Sequence, residues 1–200
     1  NNRTIGEAAQ GLAQYILKVG GSDAAQRGVV LAYDTRLHSD VFARETACVL
    51  AGNGVSVYLF DSCRATPALS FAVRELQAMA GVVVSASHNP PSDNGFKAYW
   101  SDGGQVVPPH DKHIIAEVLG IKEIKSYEYD VAVTRGLIQM VGVEVDAKYL
   151  DVLADLTLAD ARQIRVVYTP LHGVGMTSVA AALERLGYED IHYVETQTIQ

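Results

Sequence analysis

The sequence contains only two cysteines, Cys48 and Cys63, and they do not form a C-x-x-C pair. Two cysteines are too few for a disulfide framework, so we expect a reduced, cytoplasmic setting. Basic residues are also scarce, with 16 lysines and arginines against 23 acidic residues and a net charge of −7. This balance argues against binding to nucleic acid or to an anionic membrane, both of which favour a basic face. No apolar run in the sequence reaches the roughly 18 residues of a membrane-spanning helix.

The composition that remains is that of a folded globular chain of 200 residues, 48% hydrophobic and 20% charged. The sequence begins at Asn1 rather than at a methionine, and it stops shortly after a strand-like run. We therefore expect a fragment of a longer protein that is cut at both ends.

Short apolar, β-branched segments alternate with amphipathic segments along the first part of the chain. Strands are predicted over 29–33, 55–60, 81–85 and 96–100. Helices are predicted over 4–18, from 39 or 40 to 50, from 66 onward, and from 108 to about 119. Alternating strands and helices are typical of an α/β fold, and we predict a three-layer domain around a mixed, mostly parallel sheet.

The first domain is predicted to cover residues 1–130. Residues 131–145 are mixed in charge and weakly periodic, so they are predicted to form a linker. The alternation then begins again, with a helix over about 146–158, a strand over 164–169, a helix over about 177–186 and a strand near 191–194. Residues 146–200 are therefore predicted to be the start of a second, similar α/β domain.

The segment whose side chains are best suited to catalysis covers residues 85–97, Ser-Ala-Ser-His-Asn-Pro-Pro-Ser-Asp-Asn-Gly-Phe-Lys. It follows a predicted strand, at the edge where open α/β sheets bind ligands. Ser87 could accept or donate a transferred group, His88 could assist proton movement, and Lys97 could neutralise a phosphoryl group. The alternative is a polar turn in which the Ser87 hydroxyl only satisfies backbone groups.

This segment closely resembles the active-site signature of the α-D-phosphohexomutase superfamily, the phosphoglucomutases and phosphomannomutases. Ser85 is a mild departure, because that position is often Thr in the superfamily. Other segments are similar in the same order, including Ala-Tyr-Asp-Thr-Arg at 32–36, Thr-Pro at 66–67 and Thr-Pro-Leu-His-Gly-Val-Gly at 169–175. The resemblance extends over essentially the whole chain.

The resemblance implies an enzyme that carries phosphate on Ser87. Phosphoserine would donate its phosphoryl group to a hexose phosphate, and the bisphosphorylated sugar would return its other phosphate, so that phosphate moves between C1 and C6. A bisphosphate such as glucose 1,6-bisphosphate would act as activator. Mg²⁺ would bridge the Ser87 phosphate and aspartates of a D-G-D-x-D loop. That loop is absent from these 200 residues, so we expect the Asp ligands to lie beyond residue 200. We also expect that the fragment alone is inactive.

The resemblance also suggests roles for the residues around Ser87. Lys97 matches a lysine assigned to phosphate contact and acid–base work, and His88 matches the histidine beside the nucleophile. Arg36, Asn89 and His172 are further candidates for binding phosphate. For Arg36, a structural ion pair with its neighbour Asp34 that holds the loop is an equally good interpretation.

Several alternatives stay open. The protein could be a phosphopentomutase of the same superfamily, or a sugar-phosphate-binding module that has lost the chemistry. Residues 173–178 approach a dinucleotide-binding pattern, G-x-G-x-x-S, but a glycine-rich turn is the simpler interpretation. His110 and His113 have helical spacing and could bind a metal, although solvated or capping histidines are favoured. The sequence identifies neither the sugar nor the oligomeric state.

Overall fold

A computed structural model describes residues 1–158 and 160–198 of the chain. Five strands form the first sheet, in the order β4-β3-β1-β2-β5. They are β1 Val29–Tyr33, β2 Val57–Phe60, β3 Ala80–Val84, β4 Phe96–Trp100 and β5 Ile138–Val141. β4 pairs antiparallel with β3, and the other pairs are parallel. The predicted mixed, mostly parallel sheet is confirmed.

Helices cover both faces of this sheet. They are α1 Asn2–Arg27, α2 Ser39–Gly52, α3 Thr66–Glu75, α4 His110–Leu119, α5 Tyr129–Thr134 and α6 Val143–Asp155. One buried cluster joins α1, α2, α4 and α5 to one face, and a second joins α3 and α6 to the other. Along β1, Val29 and Leu31 belong to the first cluster while Val30 and Ala32 belong to the second. A strand buried on both faces must be apolar throughout, which explains the continuous hydrophobic runs of the sequence.

The predicted linker over 131–145 is wrong. These residues contain most of α5, all of β5 and the first turn of α6. β5 extends the first sheet by pairing with β2, and the side chain of Ile138 is fully buried there. The pattern is weak because β5 is a four-residue edge strand in which the next two residues, Gln139 and Met140, are exposed. The first structural unit therefore continues past residue 130.

The predicted end of α1 and the predicted N-cap of α2 also differ from the structure. α1 continues past Gly20 to Arg27, with a non-helical backbone only at Gly21, where φ is +56°. A glycine adopts this left-handed conformation without steric cost, so the chain bends and then resumes its helix. Ser39 does not cap α2, because the residue before the helix is His38 and the Ser39 hydroxyl points into a buried hydrogen-bond network.

The second unit has the predicted strands and helix in a shorter form. β6 Val166–Tyr168 and β7 Ile191–Tyr193 pair in parallel, and α7 Val179–Arg185 lies between them in the chain. A 3₁₀ turn at Val174–Thr177 precedes α7. The start of a second α/β unit is thus confirmed, but its predicted start at residue 146 is not, because α6 packs against the first sheet through Val145. Within the described residues, no helix is long and apolar enough to cross a membrane.

Candidate active site

A cleft of about 810 Å³ opens at the edge of the first sheet where β1, β2 and β3 end. The loops that follow parallel strands gather at this carboxyl edge, which is where such sheets bind ligands. Loops after β1, β2 and β3 line the cleft from the first unit, and the loop after β6 lines it from the second. The lining residues fall within 34–37, 64–67, 83–91 and 171–174.

The loop between β3 and β4, residues 85–95, is named here the Ser87 loop. The Ser85 N–H closes its base by donating to the Gly95 carbonyl at 3.0 Å. Ser87 is exposed in the cleft, with a φ of +61°. His88 and Asn89 follow it, are also exposed, and line the same cleft. The structure therefore brings these three predicted site residues together.

Arg36 lies between the loop after β1 and the Ser87 loop. Its Nε donates to Asp34 Oδ2 at 3.1 Å, and its Nη1 donates to the carbonyls of Pro90 at 2.6 Å and Asp93 at 3.3 Å. Its Nη2 donates a short hydrogen bond to the Ser87 carbonyl. Although Arg36 lines the cleft, these bonds occupy most of its five N–H groups. Of the two interpretations of Arg36, the structure favours the one in which it holds the loop.

A buried hydroxyl continues this network. Ser39 Oγ lies 2.8 Å from Asp34 Oδ1 and 2.7 Å from Asn94 Oδ1. Asn94 Nδ2 donates to the Leu37 carbonyl at 2.7 Å, and so ties the end of the Ser87 loop to the loop after β1. The role of Ser39 has no signal in the sequence beyond its closeness to Asp34, because Asn94 is 55 positions away.

Lys97 lies on β4 opposite Val83 in the antiparallel register. Val83 lines the cleft, whereas Lys97 is half-buried and is not among the lining residues. Side chains alternate along a strand, so Lys97 shares a sheet face with Tyr99, which packs in the α3 cluster. Lys97 therefore lies beside the cleft-lining Val83 without lining the cleft itself. Its contact with phosphate stays a prediction.

His172 reaches the cleft from the loop after β6. Thr35 Oγ1 donates to the His172 carbonyl at 2.8 Å, and the His172 N–H donates to the Gln197 carbonyl at 3.1 Å. Both Leu171 and His172 have positive φ values, 49° and 64°. Left-handed backbone at residues with a side chain is uncommon and persists where surrounding contacts hold it. The hydrogen bond from Thr35 is one such contact, and it crosses from the first unit to the second.

Arg64, on the loop after β2, is a cleft-lining residue that the sequence did not single out. Its Nη2 donates to Asp146 Oδ2 at 2.7 Å and to Asp61 Oδ1 at 3.0 Å, and its side chain is only 7% exposed. Burial alone would lower the pKa of this guanidinium, but the hydrogen bond and charge of Asp146 outweigh it and raise the pKa. Arg64 therefore anchors the start of α6 to the first unit.

The His110 and His113 pair lies behind the sheet, away from the cleft. The Tyr15 hydroxyl lies 2.8 Å from His110 Nδ1 and 3.4 Å from His113 Nδ1. The ring of His110 also stacks on Trp100, with 4.4 Å between the ring centroids. The helical spacing thus places both histidines of α4 against Tyr15 of α1, and His110 also against Trp100 of β4. Packing explains the spacing.

The residues described by the structure do not by themselves fit a Mg²⁺ site. No group of three or more His, Cys, Asp or Glu side chains among them could hold a metal ion. Asp34, the carboxylate in the cleft lining, already pairs with Arg36 and Ser39. The hard oxygen ligands that Mg²⁺ prefers are therefore not assembled within this part of the chain.

The chain is 38% identical over 200 residues to a Haemophilus influenzae protein named a probable phosphomannomutase, and it spans 40% of that protein's length. It is 37% identical over 198 residues to a Schizosaccharomyces pombe protein named a probable phosphoribomutase, and spans 33% of it. These matches cover 98% and 94% of the chain itself.

A crystal structure from Thermus thermophilus, which carries the name phosphomannomutase, superposes with a TM-score of 0.81 at 30% sequence identity. The superposition covers 98% of this chain and 42% of the Thermus chain. Residues 1–125 also match the family model described as phosphoglucomutase/phosphomannomutase, alpha/beta/alpha domain I. That match includes the Ser87 loop and the loops after β1 and β2. The chain belongs to the phosphoglucomutase/phosphomannomutase family.

Proposed function

We propose that the protein containing this chain is a phosphohexomutase, which moves phosphate between C1 and C6 of a hexose phosphate through phosphoserine at Ser87. The observation that carries the proposal is the position of Ser87. Its hydroxyl side chain is exposed at the carboxyl edge of a parallel sheet, in an open cleft, on a loop held by Arg36 and Asn94. The membership of the chain in the family gives this position its chemical meaning.

The proposed reaction consists of two phosphoryl transfers. In the first, a sugar hydroxyl oxygen bonds to the phosphorus of phosphoserine while the bond from phosphorus to Ser87 Oγ breaks. The proton of the sugar hydroxyl ends on Ser87 Oγ, and the sugar becomes a bisphosphate. In the second, Ser87 Oγ attacks the other phosphate of the same sugar, and the proton returns to the released sugar oxygen. The enzyme is regenerated, and the phosphate has changed position.

The charge of the phosphoryl group needs partners in the cleft, because phosphoserine carries about −1.5 to −2 charges at neutral pH. The guanidinium groups of Arg36 and Arg64 already pair with carboxylates. We therefore assign charge neutralisation and proton transfer to His88, which lines the cleft, and to Lys97, which lies on β4 beside the cleft-lining Val83. We assign contacts with the sugar phosphate to Asn89 and His172. Arg36 would contact phosphate only through the N–H group its loop bonds leave over.

We further propose that Mg²⁺ and a bisphosphate activator of the glucose 1,6-bisphosphate type are needed. The carboxylate ligands of the metal would lie outside the described residues, because only the Ser87 phosphate is available within them. A reduced, cytoplasmic setting is part of the same proposal, because the two cysteines are too few for a disulfide framework.

A pentose phosphate is the second candidate substrate. It is favoured by the likeness to the Schizosaccharomyces pombe protein, whose name is that of a pentose phosphate mutase. A module that binds sugar phosphate without turning it over is the non-enzymatic alternative. It would retain saturable binding but leave the phosphate position unchanged.

The test is a mutase assay of the complete protein with glucose 1-phosphate, mannose 1-phosphate and ribose 1-phosphate, each with Mg²⁺ and glucose 1,6-bisphosphate. Ser87→Ala is expected to lower kcat for the preferred sugar by about 10³-fold or more, because it removes the nucleophile. Ser92→Ala is the matched control, since Ser92 is an exposed serine of the same loop. Full activity of Ser87→Ala would exclude the phosphoserine route, and binding without turnover would favour the module.

A further inference from the structure

We infer that Ser85 and Arg36 act as a pair of positioning residues that hold Ser87 in its left-handed backbone conformation. The inference rests on the proposed function, since it concerns how the phosphate-carrying hydroxyl is presented. This positioning role does not depend on a contact of either residue with the reacting atoms. Both act through the two peptide groups of Ser87.

The backbone of Ser87 requires such support. Its φ of +61° lies in the left-handed region, which a residue with a Cβ adopts at a steric cost. A serine in this conformation persists only where neighbouring groups fix it, and such residues cluster at functional sites. In an exposed loop, solvent supplies no such restraint, so the restraint must come from specific bonds.

Ser85 restrains the amino side of Ser87. The Ser87 N–H donates to Ser85 Oγ at 3.1 Å. Ser85 is itself only 8% exposed, and its own N–H is bonded to the Gly95 carbonyl. A Cβ at position 95 would lie 2.7 Å from the Ser85 carbonyl oxygen, so the glycine permits the close approach that fixes Ser85. The acceptor for Ser87 is therefore rigidly placed at the end of β3.

Arg36 restrains the carboxyl side of Ser87. Its Nη2 donates to the Ser87 carbonyl, and the same guanidinium is oriented by Asp34 and by the Pro90 carbonyl. The Arg36 side chain is only 9% exposed, although the carbonyls of Ser87 and Pro90 that it contacts belong to exposed residues. With its N–H held by Ser85 and its C=O held by Arg36, Ser87 has both of its backbone polar groups fixed. The Cα–Cβ bond of Ser87, which lines the cleft, then has a defined direction.

Kinetic measurements distinguish the positioning of Ser87 from the binding of substrate phosphate. A residue that binds the substrate phosphate equally in the ground and transition states raises KM when it is removed. A residue that orients the nucleophile lowers kcat, because a displacement of about 1 Å can cost about 10²-fold in rate. The inference therefore predicts a fall in kcat with an almost unchanged KM.

The experiment uses the complete protein and measures two quantities. The first is the rate constant for phosphate transfer from glucose 1,6-bisphosphate to Ser87, followed by rapid quenching and mass spectrometry of the Ser87 peptide. The second is the kcat and KM of the mutase reaction. Ser85→Ala removes the acceptor hydroxyl, Ser85→Thr restores it, and Ser92→Ala removes an exposed hydroxyl from the same loop. Thermal melting of each variant reports whether the fold is retained.

Ser85→Ala is expected to slow transfer by about tenfold, with KM changed less than about twofold. Ser85→Thr is expected to recover most of the rate, and Ser92→Ala to match the unsubstituted protein. Arg36→Lys, which cannot reach several carbonyls at once, is expected to slow transfer further, by about 10²-fold. Because Arg36 lies in a partly buried ion pair, the rate constant of the Arg36→Lys variant is normalised to its folded fraction.

The outcomes distinguish this inference from the proposed function. If the unsubstituted protein takes up no phosphate on Ser87, both are overturned. If it does, and Ser85→Ala transfers phosphate as fast as Ser85→Thr, the positioning inference alone fails. A rise in KM with unchanged kcat in Arg36→Lys would also overturn it, in favour of direct phosphate binding by Arg36.

Discussion

The two α/β units of the chain differ most in what they bury. The five-stranded unit encloses two hydrophobic clusters, on opposite faces of its sheet. Among the described residues that follow Val145, no side chain is buried. The loops on the first unit therefore rest on a core of their own. The loop after β6 depends instead on hydrogen bonds to Thr35 and Gln197. Within the described residues, the two sides of the cleft are therefore held by different kinds of contact.

This difference bears on how the two sides of the site would work. The Ser87 loop is fixed by Arg36, Asn94 and its own base, so Ser87, the proposed nucleophile, would be in place before a substrate binds. His172 reaches the cleft on a strained turn that the Thr35 hydroxyl ties to the first unit. Elements with few buried contacts open at lower free energy than a core does. Within these residues, the turn that carries His172 is therefore expected to open more readily than the Ser87 loop.

The largest expected effect is a loss in the free energy of unfolding, which shows which unit contains the core. Ile138→Ala on β5 is expected to lower the free energy of unfolding by about 2–5 kcal/mol, because Ile138 is fully buried and a cavity would remain. Ile191→Ala on β7 makes the same deletion at a half-buried position and is expected to cost about 1 kcal/mol. Urea unfolding of the chain, followed by circular dichroism, measures both. Equal losses would contradict the contrast between the units.

A smaller effect is expected where α6 attaches to the first unit. Asp146→Asn replaces the charged partner of the buried Arg64 guanidinium and is expected to cost about 2 kcal/mol, the scale of a hydrogen bond to a charged group. Glu144→Gln, an exposed charge in the same helix, is the matched control. Thermal melting compares the two variants. The same melting temperature for both would mean that the Arg64 anchor contributes nothing.

The smallest effect concerns the bond that crosses the cleft. Thr35→Val removes the hydrogen bond to the His172 carbonyl, which is expected to cost about 1 kcal/mol, or about fivefold in KM for the sugar phosphate. Phosphate transfer to Ser87 should be much less affected, because the Ser87 loop is held from the first unit. Thr35→Ser keeps the hydroxyl and should behave like the original residue. An unchanged KM in Thr35→Val would show that this bond does not position His172 for substrate.

Much of this organisation was predictable from the sequence. β4 lies at its predicted bounds, although it is an edge strand that contains Lys97. β1 and β3 lie within one residue of their predicted bounds, because buried strands need unbroken apolar runs. The cleft position of Ser87, His88 and Asn89 followed from a polar segment at the end of such a strand. β5 was missed, because an edge strand with one buried residue carries almost no periodicity.

The hydrogen-bond network of the site was not predictable from the sequence. Arg36 donates to carbonyls 51 to 57 positions away, and backbone carbonyls have no sequence signature. The Arg64 to Asp146 pair is separated by 82 positions and depends on α6 packing beside α3. Such contacts follow from the tertiary structure, so residue type alone left Arg36 between two interpretations.

The central claim is that Ser87 carries the phosphate, and peptide mass spectrometry of the complete protein tests it most directly. The Ser87 peptide would be analysed as purified and after exposure to glucose 1,6-bisphosphate, with Ser87→Ala as control. We expect one phosphate on Ser87 that is gained from the bisphosphate and lost again to a sugar monophosphate. A Ser87 that remains unphosphorylated under both conditions, in a protein that turns over hexose phosphate, would contradict the account.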